Sequence, residues 1–180
     1  MKEFWDFDEN INYITVTIQS KNYKVINKYP NYYEAALYLN YIHNIIIAIC
    51  NYFKINYYKY SKHDQILIDC FLEIHPNKYL LSEMQLETMF NGLNKPRNLY
   101  QTNKQKIGPD GNIRAGYRHI FITLRYEDGN FKNLNKIMKL VIHEITHTMC
   151  NHVRWRDDDH GNDFKHAERL ITDAYNKIKN

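Results

Sequence analysis

Val141-Ile142-His143-Glu144-Ile145-Thr146-His147 reads HExxH inside a helical apolar pattern. On a helix, positions four apart share a face and lie about 6 Å apart along the axis. His143 and His147 can therefore grip one metal ion from the same side. Glu144 projects from the neighbouring face, toward a water on that ion. Two neutral imidazoles, a third ligand and an open fourth position suit zinc. Such an ion lowers the pKa of its water toward about 7, and a carboxylate can take the proton. That is the chemistry of a metal-dependent peptide hydrolase. The competing reading is a solvated helix face that carries two histidines.

The helix around this motif is expected from Leu134 to Asn151, with Ile137, Met138, Leu140, Val141, Ile145, Thr148 and Met149 as a broad apolar face. A last helix is expected from Asn162 to Ile178, where Phe164, Ala167, Leu170, Ile171, Ala174, Tyr175 and Ile178 keep helical spacing. The third ligand must come from between or within these helices. His152 is a poor candidate, because Cys150 stands where a glycine would turn the chain back. His160 is favoured: it follows His147 after twelve residues, with Asp157-Asp158-Asp159 before it and Gly161 after it to break the helix. Glu168 is the alternative, since some zincins take a carboxylate from a second helix. The expected site is thus one Zn2+ per chain on His143, His147 and His160, with Glu144 as general base. His119, Tyr117, Tyr126 and His166 are candidates to assist the oxyanion, and one acidic residue such as Asp159 could orient a ligand histidine.

Upstream, Asn12 to Gln19 alternates and is rich in Ile, Val and Thr, which predicts a strand; Tyr23 to Asn27 completes a hairpin. Pro30 opens a helix expected to reach about Phe53. Tyr57 to His63 reads as a polar connection, and Gln65 to Ile74 fits either a buried strand or a short helix. Ser82-Glu83-Met84-Gln85 resembles a helix start and predicts a short helix to Phe90. Lys95 to Gly111 reads as loop, with Asp110-Gly111 able to turn a hairpin. Tyr117 to Arg125 is the clearest strand of this half, and Asp128-Gly129-Asn130 the turn after it.

The chain has 180 residues, enough for one α+β domain with its own core, divided into a hairpin and helix over about 1–62 and a catalytic core over about 64–180. Its three cysteines are scattered and form no CxxC, which suits a reducing, intracellular setting and excludes a cysteine zinc site. No signal peptide is visible, and the longest apolar run, Ile45 to Cys50, is far short of the ~20 residues that span a bilayer. A soluble protein without membrane partners is expected. The wealth of Tyr, Asn, Ile and Lys suits a large DNA virus or another AT-rich coding genome. Net charge is +4, but Lys95 to Lys139 holds ten basic and three acidic residues. Lys104, Lys106 and Arg114 lie in this strip and are candidates to hold nucleic acid. That leaves a reading of another class: a nucleic-acid-binding or structural protein whose zinc site is non-catalytic, its many tyrosines stacking on bases.

The motif and the residues after it, His160-Gly161-Asn162-Asp163-Phe164-Lys165-His166, resemble the SprT-like metallopeptidases, where HExxH is followed by His-Gly-x-x-Phe or Trp. Ile120 to Tyr126, Phe131 and the HEITH helix are similar to the related WLM metallopeptidases, whose His-x-x-x-Phe element His160 and Phe164 also satisfy. The resemblance covers roughly residues 117–172. The chain lacks the Gly-Pro-His that WLM proteins usually carry after the helix and the zinc ribbon that many SprT-like proteins add. Both families imply a zincin-like core, in which the active helix sits behind a small mixed or antiparallel sheet whose edge strand lines the cleft. Tyr117 to Arg125 is expected to be that edge, taking an extended peptide by main-chain pairing. Both also imply proteolysis of proteins crosslinked to DNA.

Overall fold

The computed structural model describes residues 11–85, 92–96, 106–107, 113–114, 118–150 and 160–179. Strands β1 (Tyr13–Ile18) and β2 (Lys21–Ile26) form the expected hairpin. Gln19 and Ser20 both take positive φ, 48° and 65°, which gives a two-residue turn whose twist matches the strands. Helix α1 (Tyr32–Asn56) buries Ala35, Leu39, Ile42, Ile46, Ile49 and Phe53 at three- and four-residue intervals. Full burial of each larger side chain contributes roughly 1.5–3 kcal/mol. The ambiguous segment is helical: α2 (Lys62–Ile74) starts where the Ser61 hydroxyl accepts the Asp64 amide at 3.1 Å, and Ile68, Phe71 and Ile74 form its buried stripe.

The later elements are β3 (Tyr79–Glu83), β4 (Gly92–Pro96), β5 (Lys106–Ile107), β6 (Ile113–Arg114), β7 (Arg118–Ile122), α3 (Leu134–Met149) and α4 (Asn162–Lys179). Five strands make one mixed sheet in the order β1-β2-β3-β7-β4. The central pairings, β2 with β3 and β3 with β7, are parallel, while the pairs at the two ends are antiparallel. Helices α1, α3 and α4 share a single hydrophobic core with the sheet, reaching from Val16 to Tyr175.

Three expectations need correction. Ser82 and Glu83 are strand, paired with Phe121 and Ile122, rather than the start of a helix. The cap-like pattern loses because Glu83 is drawn into a buried network, described below; residues 86–90 lie outside the described region. Part of the Lys95–Gly111 loop is also strand: Lys95 and Pro96 close β4, and Lys106–Ile107 pair antiparallel with Ile113–Arg114, while the expected Asp110-Gly111 turn lies outside the described residues. Finally, β7 is interior, flanked by β3 and β4, so its main chain is already paired on both sides. The edge beside α3 is β4.

Glu83 is fully buried and Arg125 nearly so. Glu83 Oε1 accepts from Arg125 Nε at 2.7 Å and Oε2 accepts from the Ile26 amide at 2.9 Å. The remaining Arg125 donors reach Asn31 Oδ1, the Asn31 carbonyl and the Gly129 carbonyl. Its guanidinium also lies over the Phe131 and Tyr29 rings, at 4.1 and 4.6 Å. Burial pushes the Glu83 carboxyl above its ordinary pKa, opposed by the Ile26 amide and by Arg125. One ion pair thus ties the hairpin, the start of α1, β3 and the chain after β7.

Two buried histidines give the fold a pH dependence. His43 Nδ1 meets the Tyr79 hydroxyl at 2.5 Å, and the His75 ring packs between Phe71 and Tyr79. Burial, with Arg118 nearby, lowers His75 to about 3; burial, with Lys21, lowers His43 to about 4. Both are neutral in the folded chain and take up protons near 6.5 when unfolded. The unfolded state therefore binds more protons below about 6.5, and stability falls as pH drops from there toward 4 and 3. Each histidine should contribute a slope of about 1.4 kcal/mol per pH unit in that window. Urea midpoints of the metal-free protein should fall steadily from pH 7 to pH 5; flat midpoints would contradict this.

Candidate metal centre

Helix α3 begins where the Asn133 side chain accepts the Asn135 amide at 2.8 Å, and it turns Ile137, Val141, Ile145 and Met149 into the core. The same rotation leaves His143 and His147 half-buried on the face beside α4, with ring centroids 5.1 Å apart. His160 lies two residues before α4. Its ring is 4.9 Å from that of His143 and 5.2 Å from that of His147. Its Nε2 faces His143 Nε2 at 3.1 Å. One ring nitrogen from each of the three histidines falls within 4.8 Å of the others.

This donor set fits a tetrahedral ion. With metal–nitrogen bonds of about 2.0–2.1 Å, ligand nitrogens stand about 3.3 Å apart, close to the separation of the His143 and His160 nitrogens. Burial first, and His160 second, hold the His143 imidazole below its ordinary pKa, which favours the neutral form a ligand needs. Phe164, buried in the first turn of α4, packs its ring 4.7 to 5.0 Å from all three imidazoles. It gives the donors a common apolar floor.

The Glu144 carboxylate reaches Gly92 of β4 and is only 5% exposed. A Cβ at position 92 would come within 2.6 Å of Glu144 Oε1 and 2.8 Å of Leu140 Cδ1, so a glycine there is what admits the carboxylate. Asn94 pins the same strand to the helix: its Nδ2 donates to the Glu144 carbonyl at 2.5 Å and to Thr148 Oγ1 at 2.8 Å. Burial pushes the Glu144 carboxyl up to about 8. A cation held by the neighbouring histidines would favour its charged form.

His143, His147 and His160 come together as the sequence spacing implied, with Glu144 beside them. Other expected participants do not converge. Side chains alternate across a strand, and the register sets Asn94 opposite Ile120 and Lys95 opposite His119. Since Asn94 faces α3, His119 lies on the far side of the sheet, against Ser82 Oγ at 2.8 Å and stacked on Phe121. Tyr126 takes a hydrogen bond from Lys136 in the first turn of α3, about 10 Å along the helix from His143. His166 turns to α2, where its Nε2 meets Asp64 Oδ1 at 2.6 Å. Glu168 sits on the edge of His143 away from His160, 3.4 Å from Nδ1, and so is not the third ligand. Tyr117, Asp159 and Lys104 lie outside the described residues; Lys106 and Arg114 are cross-strand partners in the β5–β6 hairpin.

Gly92 and Asn94 escaped sequence reasoning because β4 is short, bears no alternation and ends in proline. Glu168 could have been placed: His160, Phe164 and Glu168 are spaced by four, which sets Phe164 and Glu168 on one helical face. Comparison with family models, with curated proteins and with solved structures returns no match.

Proposed function

We propose that the chain is a zinc-dependent endopeptidase with a zincin-like core, similar in its site to the SprT-like and WLM metallopeptidases. The observation that carries this reading is the meeting of three imidazoles, from α3 and from the start of α4, beside a buried carboxylate that faces an edge strand. His143, His147 and His160 hold the ion. Zinc, when bound there, supplies Lewis acidity, making a water acidic and polarising a carbonyl.

The chain's own residues do the rest. Glu144 accepts the proton of the attacking water and passes it to the departing amine, a role that needs it ionised at the start. Burial between α3 and Gly92 keeps competing water from the carboxylate. An extended peptide adds to the free side of β4 by main-chain hydrogen bonds, which sets its carbonyls over the helix face of α3. Among the described residues, no strand pairs with that side. Asn94 fixes how far the strand stands from the helix.

A DNA-associated or DNA-crosslinked protein is the proposed substrate class, supported by the ten basic residues between Lys95 and Lys139 and by the hairpin that sets Lys106 opposite Arg114. Among the described residues no helix is long and apolar enough to cross a membrane.

The test is metal content and cleavage together. The wild-type chain should retain one zinc per molecule through dialysis and cleave unfolded casein, and His160→Ala should lose both. Zinc bound without cleavage would favour the non-catalytic reading. Cleavage undiminished in metal-stripped His160→Ala would end the proposal.

A further inference from the structure

His143 has two ring edges, and the site uses both. Nε2 faces the donor nitrogen of His160, on the side where an ion would sit. Nδ1, on the opposite edge, faces Glu168 Oε1 at 3.4 Å. Glu168 lies one turn beyond Phe164 on α4, so the helix that supplies the apolar floor also brings a carboxylate to the back of the ring. The Thr172 hydroxyl donates to the Glu168 carbonyl at 2.7 Å and holds that turn.

We infer that Glu168 positions His143 for the metal, its carboxylate accepting a hydrogen bond from Nδ1–H and so presenting the Nε2 lone pair to the ion. The inference rests on the metal-centre reading above. An imidazole with its proton on Nδ1 can ligate only through Nε2, and a carboxylate behind it fixes both tautomer and ring angle. Both side chains are more than a third exposed, so the pair adds little to stability. Its effect is on how the ring is aimed. A ligand role for Glu168 is excluded by the edge of the ring that it occupies.

Zinc affinity, measured by competition with a chromophoric chelator, is the probe, alongside the thermal midpoint of the metal-free chain. Glu168→Ala should weaken zinc binding about 10–100-fold, with the metal-free midpoint unchanged. Glu168→Gln, whose amide oxygen still accepts, should recover part of that loss. Wild-type affinity in Glu168→Ala would overturn the inference. So would equal losses in both variants, or a loss that follows a drop in the metal-free midpoint. A wild-type chain that binds no zinc would instead overturn the metal centre itself, so the two failures are distinct.

Discussion

Glu144→Gln should keep its zinc and lose peptide cleavage by about 10²- to 10⁴-fold, the usual contribution of a positioned general base. The amide is the same size as the carboxylate, so it fits the space that Gly92 leaves. It cannot take a proton. The loss should fall on kcat and kcat/KM alike, because the missing interaction is made in the transition state. On the proposed mechanism the acid limb of the pH–rate profile should report the ionisation of this carboxyl and vanish in the variant's residual activity. The measurements are zinc content and kcat/KM on unfolded casein. Cleavage at the wild-type rate would remove Glu144 from the mechanism.

Glu83→Ala should destabilise the fold by about 3–5 kcal/mol, read as a fall in the urea midpoint, because it strands the buried Arg125 charge and the Ile26 amide together. The paired replacement Glu83→Leu with Arg125→Met should recover most of that loss. Removing both charges removes the desolvation cost as well. Equal losses in the single and double variants would show that the network is held by its other contacts, such as the Arg125 stack on Phe131.

Local signals made much of this arrangement legible. The β1–β2 alternation, the long apolar stripe of α1 and the HExxH spacing each depend on residues within a few turns of one another. His160 stands beside the HExxH pair, and the helix-breaking Gly161 next to it is a local signal too. The errors lie where distant residues decide. Ser82-Glu83 looks like a helix cap until the Arg125 guanidinium, 42 positions away, claims the glutamate. The interior place of β7 follows from β4, five residues that carry no strand signal of their own. His119 and His166 have the right chemistry for a site, but strand pleat and helix rotation aim them elsewhere.

The donor set of the proposed centre bears on which ions it would accept. Three imidazoles without a thiolate are of middling softness and admit Co2+, Ni2+ and Cu2+ as well as Zn2+. In the general order of affinities copper outranks zinc at such nitrogens. Phe164, the side chain packed against all three imidazoles, adds no donor atom that would change that order. On the proposed reading, metal-free protein loaded with Zn2+, Co2+ or Cu2+ in turn should hold each ion in the same seat.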